Sequence, residues 1–208
     1  MKVISTNISD KRSIKIGDEW VETGLYKKPV SNGIALGFED VENDSVVDRR
    51  YHGGKDMACY LFGKNNYQYF TDLYPKADWE IGMFGENITL DYLNESELNI
   101  GDIYQFGEAE IQIAQPRLPC SKFGYRLGSP SAIKAFADAD LPGAYVRGLK
   151  KGTVKAGDEM VLIENQTQKL SLLELYRVLV NKSGYKSKFK EIISNPFVPE
   201  KCKLKLKE

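Results

Sequence analysis

Short apolar runs broken by Gly, Asp and Asn turns occupy residues 1 to about 165. The segments "KVISTNI", "EWVETGLY", "NGIALGF", "DMACYLFG", "GENITL", "DIYQFG", "AEIQIAQ", "AYVRGL" and "EMVLIE" are rich in β-branched and aromatic residues and predict strands. "FGEAE" predicts a tight turn between two of them, and "KKGTVKAGDEMVLI" a Gly-containing loop before the last. Strands in this number, without helices alternating between them, predict an antiparallel or mixed barrel rather than a βαβ sheet.

Helical spacing interrupts the strands twice. "KNNYQYFTDLY" places Tyr67, Phe70, Leu73 and Tyr74 on one face, and "SPSAIKAFADAD" pairs Ile133 with Phe136 behind Ser129 as N-cap and Pro130 at the first helical position. After "ENQTQK" the pattern changes. "LSLLELYRVLVN" carries Leu172, Leu175, Tyr176 and Leu179 on one stripe with Ser171 as cap, "SKFKEIIS" predicts a second helix, and "KCKLKLKE" a third short helix, a strand or a frayed end. The fold class is therefore mainly β (α+β), with a barrel domain over 1–165 and a small helical domain over 168–208 that needs to dock on the barrel to be stable.

Composition narrows the function classes. With 29 basic and 29 acidic residues in 208, no global field recruits nucleic acid or an anionic membrane, so any anion must be held by a local cluster. The N-terminal segment has no apolar run of the signal-peptide kind and nothing approaches membrane-spanning length, which makes the cytoplasm the expected compartment. Three cysteines without paired spacing predict neither a disulfide framework nor a zinc site.

Candidate chemistry gathers at four stretches. In "QPRLPCSKFGYR", Pro116 and Pro119 exclude regular helix, while Arg117, Lys122 and Arg126 surround Cys120 with positive charge. A thiol beside cations ionises more readily, and the thiolate is the form that attacks electrophiles or ligates a soft metal. Cys59, in the apolar run "MACYLF", reads as a buried hydrophobe, and Cys202, between lysines, as an exposed bystander. In "DRRYHGGKDMA" the single histidine, His52, precedes two glycines whose backbone can approach an anion. In "MFGENITL", Glu86 and Asn87 offer polar groups ahead of a strand, and in "TGLYKKPVSNG" Lys27 and Lys28 place charge on an extended segment. Taken singly, the last three read more readily as solvated turns than as functional groups.

Taken in order, "TGLYKKPV", "YHGGKDMA", "FGENIT", "IGD", "QPRLPC" and "AGD" resemble the MOSC-domain family, in its YiiM-like branch. The resemblance spans most of residues 20–163, and the segment from Leu170 with "NPFVPE" resembles that branch's small three-helix domain. It implies a β-barrel that binds the molybdenum cofactor, a pyranopterin with a terminal phosphate, with Cys120 as the protein ligand to molybdenum and the catalytic residue. It further implies that Lys27, Arg49, His52 and Arg117 neutralise the phosphate and dithiolene, and that Glu86 and Asn87 hold polar groups near the cofactor. Where the family commonly has a second histidine before the double glycine, this chain has Tyr51, which carries no charge but can donate one hydrogen bond.

The implied activity is reduction of small N-hydroxylated compounds, N-hydroxylated purines among them. The chain has neither a Cys-rich iron–sulfur module nor a GxGxxG fingerprint, so a separate reductase is the expected electron donor; pyridoxal phosphate is not an expected cofactor. Three other readings use the same residues: a non-catalytic carrier of the cofactor or of sulfur, a cysteine hydrolase or transferase with Cys120 and His52 as nucleophile and base, and an anion-binding barrel with a structural cysteine.

Overall fold

The computed structural model describes every residue except Asp48, Arg50, Tyr51 and Glu208, and all side chains of the rest but those of Lys182 and Ser183. The effect expected of Tyr51 lies outside the described residues. The strands are β1 (Val3–Ile8), β2 (Arg12–Ile16), β3 (Glu19–Thr23), β4 (Lys28–Pro29), β5 (Ile34–Leu36), β6 (Cys59–Gly63), β7 (Ile88–Leu90), β8 (Ile103–Phe106), β9 (Ala109–Pro116), β10 (Ala144–Lys150), β11 (Gly152–Val154) and β12 (Met160–Glu164). The helices are α1 (Tyr67–Leu73), α2 (Ser121–Arg126), α3 (Ser131–Asp138), α4 (Leu172–Val180), α5 (Phe189–Ser194) and α6 (Glu200–Lys207).

Eight strands form one sheet in the order β12-β8-β9-β10-β6-β7-β1-β4, and β11-β5 and β2-β3 form two-stranded ribbons. The β6–β7 pair is parallel and the other pairs are antiparallel, so the sheet is mixed. The expected closed barrel is not found, because β12 and β4 are free edges of the ladder. A single Lys2–Glu159 bridge, with hydrogen bonds from Val3 N to the Asp158 carbonyl (2.8 Å) and from Met160 N to the Met1 carbonyl (2.8 Å), ties the start of β1 to the entry of β12 without extending a ladder between them.

Two apolar clusters hold this sheet. The larger joins Leu61, Ile88, Ile111, Ile113 and Val146 of the strands to Leu172, Leu175, Val178, Ile192, Cys202 and Leu206 of the C-terminal helices and Val198 between the last two. The helical segment therefore closes the sheet's core rather than carrying one of its own. The smaller is aromatic: Phe84 lies between Phe62 (ring centroids 4.1 Å apart) and Phe123 (5.2 Å), with Tyr67, Phe70 and Phe136 around them. It packs α1, α2 and α3 beneath the loop that carries Cys120, which it fixes from below.

Local chemistry accounts for the details. Ser171 caps α4 as its spacing predicts, its hydroxyl accepting from Glu174 N at 3.1 Å. Ser129 does not cap α3; Pro130 takes that position and Ser129 Oγ turns to Ser131 Oγ, 2.8 Å away. "QPRLPCSKFGYR" contains a helix after all. Both prolines precede it, Cys120 is extended at its N-cap (φ −135°, ψ 153°), and α2 starts at the next residue.

Candidate functional site

A cavity of about 100 Å³ opens where the β3–β4 connection, the loop after residue 44, the His52–Gly53 turn and the start of α2 converge; Lys27, Asp44, Asn87, Arg117 and Cys120 all line it. A second cavity of about 320 Å³ lies on the other side of Cys120, and His52, Met57, Arg117, Cys120 and Tyr145 line both. The half-buried thiol thus stands at the junction of two hollows.

Arg117 defines that junction. It is 6 % exposed, its Nη1 donates to the Phe84 carbonyl, and its guanidinium lies 5.2 Å from the Tyr60 ring centroid. Its Nη2 sits 3.8 Å from Cys120 Sγ. Burial opposes ionisation of that thiol, but the Arg117 charge and the backbone N–H groups of Phe123 and Lys122 outweigh it and bring the Cys120 pKa below its ordinary value. Burial has the opposite result at Cys59, which no cation touches closely enough to offset it; that thiol stays protonated.

The other cations around Cys120 divide. Lys122 lines the first cavity and donates to the Glu22 carbonyl at 2.8 Å. Arg126 turns away, clasping the Leu25 carbonyl, the Gly82 carbonyl (2.9 Å) and Glu80 Oε1 (2.9 Å), and so staples the β3–β4 connection to the turn before Phe84. Its charge does not face the thiol as expected.

Lys27 reaches the cavity floor, yet its charge is already matched there. Its ammonium pairs with Asp44 Oδ2, both side chains being nearly inaccessible (7 % and 3 %). Burial depresses the Lys27 pKa although Asp44 favours its charged form. Asp44 also accepts from Asn87 Nδ2 (2.9 Å) and Ser9 N (3.0 Å), while Asn87 Oδ1 accepts from Tyr60 N at 3.2 Å. Asn87 is accordingly a floor residue that positions Asp44 and β6.

Two expected residues lie elsewhere. Glu86 is wholly buried and lines neither cavity; it accepts from Tyr67 Oη, Thr89 Oγ1 (2.9 Å), Gly82 N (3.0 Å) and Phe84 N (3.1 Å), and burial raises its pKa. Its work is to hold the turn from which the Phe84 carbonyl meets Arg117. Arg49 is exposed and pairs with Asp40 Oδ2 at 2.5 Å. His52 does line both cavities, in a turn whose next two residues, Gly53 (φ +76°) and Gly54 (φ +81°), adopt a backbone conformation that favours glycine. Cys202 is no exposed bystander: it is buried at 3 % and its thiol donates to Gln115 Oε1 at 3.0 Å, which ties α6 to β9.

The sequence reading missed Asp44, Tyr60 and Tyr145. Tyr60 is buried, with its hydroxyl donating to the Pro142 carbonyl at 2.8 Å, and Tyr145 packs on it with ring centroids 4.9 Å apart. Burial raises the pKa of Tyr145, so its phenol is neutral beside the thiol. Among the described residues no group of three or more His, Cys, Asp and Glu side chains forms a metal-binding cluster, and no helix is long and apolar enough to cross a membrane.

Comparison with known proteins places this geometry. The MOSC domain family matches residues 48–161. The chain is 26 % identical over 198 residues to the uncharacterized protein YflK of Bacillus subtilis (strain 168), covering 95 % of this chain and 89 % of that one. It is 30 % identical over 162 residues to a protein named reductase from Gibberella moniliformis, covering 76 % of this chain but 29 % of the fungal protein. The crystal structure of YiiM from Geobacillus stearothermophilus superimposes with a TM-score of 0.81 at 28 % identity, over 99 % of this chain and 98 % of that one. With its motifs in family order and its cysteine where two cavities meet, the chain belongs to the MOSC domain family, in the YiiM-like branch.

Proposed function

We propose that this chain is a molybdenum-cofactor-dependent reductase of small N-hydroxylated compounds, N-hydroxylated purines among them, fed by a separate reductase. The observation that carries the reading is Cys120, an ionisable thiol held 3.8 Å from a buried guanidinium at the meeting point of two cavities. The reductase name of the fungal relative supports the reaction type.

The donor set fits the cofactor. A thiolate suits a soft metal, and Arg117 and Lys122 supply positive charge in a wall whose carboxylate, Asp44, is neutralised by Lys27. Cys120 would hold the metal, and Arg117 and Lys122 the anionic groups around it. At about 100 Å³ the first cavity is smaller than the roughly 300–1,000 Å³ of ordinary ligand sites, and it meets the second, of about 320 Å³, at Cys120. When bound, the cofactor supplies the two-electron chemistry. Overall, the N–O bond of the substrate breaks, two electrons from the partner and two protons are consumed, and water leaves. Arg117 favours the ionised form of the thiol, the neutral Tyr145 phenol stands beside it at the junction, and His52 lines both cavities. Tyr60 has its proton committed to Pro142.

The test is elemental analysis of protein made in a cofactor-proficient host, wild type against Cys120→Ser, with turnover of an N-hydroxylated purine and a reduced donor protein. Near-stoichiometric molybdenum and turnover, both lost in the variant, are expected. Metal-free wild type would overturn the cofactor assignment, and metal without turnover would leave a carrier.

A further inference from the structure

The turn at residues 82–85 offers a carbonyl to each of two arginines. Its Phe84 carbonyl accepts from Arg117 Nη1, and its Gly82 carbonyl accepts from Arg126 Nη1 at 2.9 Å. The N–H groups of the same turn point the other way. Gly82 N (3.0 Å) and Phe84 N (3.1 Å) donate to the Glu86 carboxylate, as do Tyr67 Oη and Thr89 Oγ1 (2.9 Å). That carboxylate is anchored on regular elements. Tyr67 belongs to α1 and Thr89 to β7, and Asn7 of β1 donates from Nδ2 to both Thr89 Oγ1 and the Glu86 carbonyl, at 3.2 Å each. One buried carboxyl group thus gathers the N–H groups of the turn and leaves its carbonyls facing the cations.

Packing alone does not orient this turn. The Phe84 ring is wedged between Phe62 and Phe123, with centroids 4.1 and 5.2 Å away, which fixes its place. Its peptide planes are not fixed by the ring, because Gly82 (φ +85°) and Gly85 (φ +74°) flank it with permissive backbone. Aromatic contact likewise places Arg117 without aiming it. Its guanidinium lies 5.2, 5.8 and 5.6 Å from the Tyr60, Phe123 and Phe136 centroids, and a ring face attracts a cation without directing its N–H groups. The Phe84 carbonyl takes Nη1 and so turns Nη2 toward Cys120 Sγ, 3.8 Å away.

We infer that Glu86, with Tyr67, is a positioning residue for the thiol site: through the 82–85 turn it aims Arg117 at Cys120 and so sets the preference of that site for anionic reactants. This goes beyond the proposed reaction, since it concerns the field at the sulfur whichever chemistry Cys120 serves. The competing role for Glu86 is to stabilise the fold and nothing more.

The test compares alkylation of Cys120 by iodoacetate, an anion, and by iodoacetamide, its neutral counterpart, on the full chain purified without cofactor at low ionic strength. The ratio of the two rates reports the field at the sulfur, because thiolate content and access affect both reagents alike. One unit charge a few ångströms away changes that ratio about fourfold in water-like surroundings. Glu86→Gln sets an amide N–H group among donors and is expected to lower the iodoacetate-to-iodoacetamide ratio by about that factor, as Arg117→Met does. Combined with Arg117→Met it is expected to lower the ratio no further. Tyr67→Phe keeps the ring, removes one donor and is expected to shift the ratio in the same direction; it decides the matter where Glu86→Gln fails to fold. Cys59 and Cys202, both buried, are expected to stay unmodified throughout. A ratio unchanged in both variants, or one that rises through loss of the carboxylate's own charge, overturns the inference. So does an equal fall in the Arg117→Met background, or a fall accompanied by alkylation of Cys59 and Cys202, which a loosened fold produces.

Discussion

Glu95 gives the sharpest numerical prediction. It is 2 % exposed, and its Oε1 accepts from Asn66 Nδ2 (3.0 Å) and Gly143 N (3.0 Å), while its carbonyl receives Leu173 N at 3.0 Å from the start of α4. Desolvation raises its pKa from 4.5 to about 7, the two donors only partly offsetting it. A folded-state pKa above the unfolded one means the protonated native state is favoured. Stability is therefore full below about pH 4.5 and falls as pH rises through about 7. At 1.36 kcal/mol per decade the loss is about 3 kcal/mol, equivalent to about 6–12 °C in melting temperature for a chain of this size. Glu95→Gln keeps the acceptor oxygen and replaces the acid proton with an amide that cannot ionise. Urea unfolding of both proteins from pH 4.5 to 8 should give a difference near zero at the acid end, growing to about 3 kcal/mol in favour of the variant. Parallel curves across that range would refute the claim that Glu95 is protonated by burial.

Other predictions concern the site. Arg117→Met removes the charge that overcomes burial of Cys120, so iodoacetamide should alkylate that thiol on the order of tenfold more slowly at pH 7, with Arg117→Lys intermediate; an unchanged rate would assign the low pKa to the helix start. In wild type, Cys120 should react well ahead of Cys59 and Cys202, whose thiols burial pushes up, by mass mapping of the alkylated chain. Asp44→Asn strands the Lys27 ammonium without its partner and should cost about 3–5 kcal/mol in chemical denaturation, with Lys27→Met/Asp44→Asn recovering part of it. Arg147→Met cuts the tie between Asp56 and the Phe197 carbonyl, and hydrogen exchange over residues 196–207 should accelerate while β6 and β7 stay protected.

Most of the sheet was legible because burial dictates its residue types: β6, β7, β9 and β10 are dense in β-branched and aromatic side chains. β2, β4 and β11 were not, since "RSIKI" is mostly polar and "KP" and "GTV" are too short to show a pattern; neighbouring strands create them. Within the site, Cys120, Arg117, Lys27, His52 and Asn87 were legible as chemistry in unusual local settings, and the structure brings all five to the first cavity. Glu86 and Arg126 misled because side-chain type does not encode direction: both face the turn around Gly82. Asp44, in an ordinary acidic turn, gave no signal, because its role arises only when Lys27 and Asn87 fold onto it from distant segments. Cys202 looked exposed between two lysines, but helical periodicity turns it to the core together with Leu206, four residues on.

The pairing of Val3 with Leu90 sets a schedule for the nascent chain. At roughly 5–20 residues per second, β1 is synthesised about 4–17 s before its partner β7. During that interval the edge of "VISTNI" that β7 will cover is an unpaired strand edge, the kind of segment a holdase shields. The core then waits again for Leu172 to Leu206, which close the sheet. A chain released from β12 but lacking these residues would have its sheet assembled with the inner face still wet, making residues 170–206 the segment on which quality control of this fold turns.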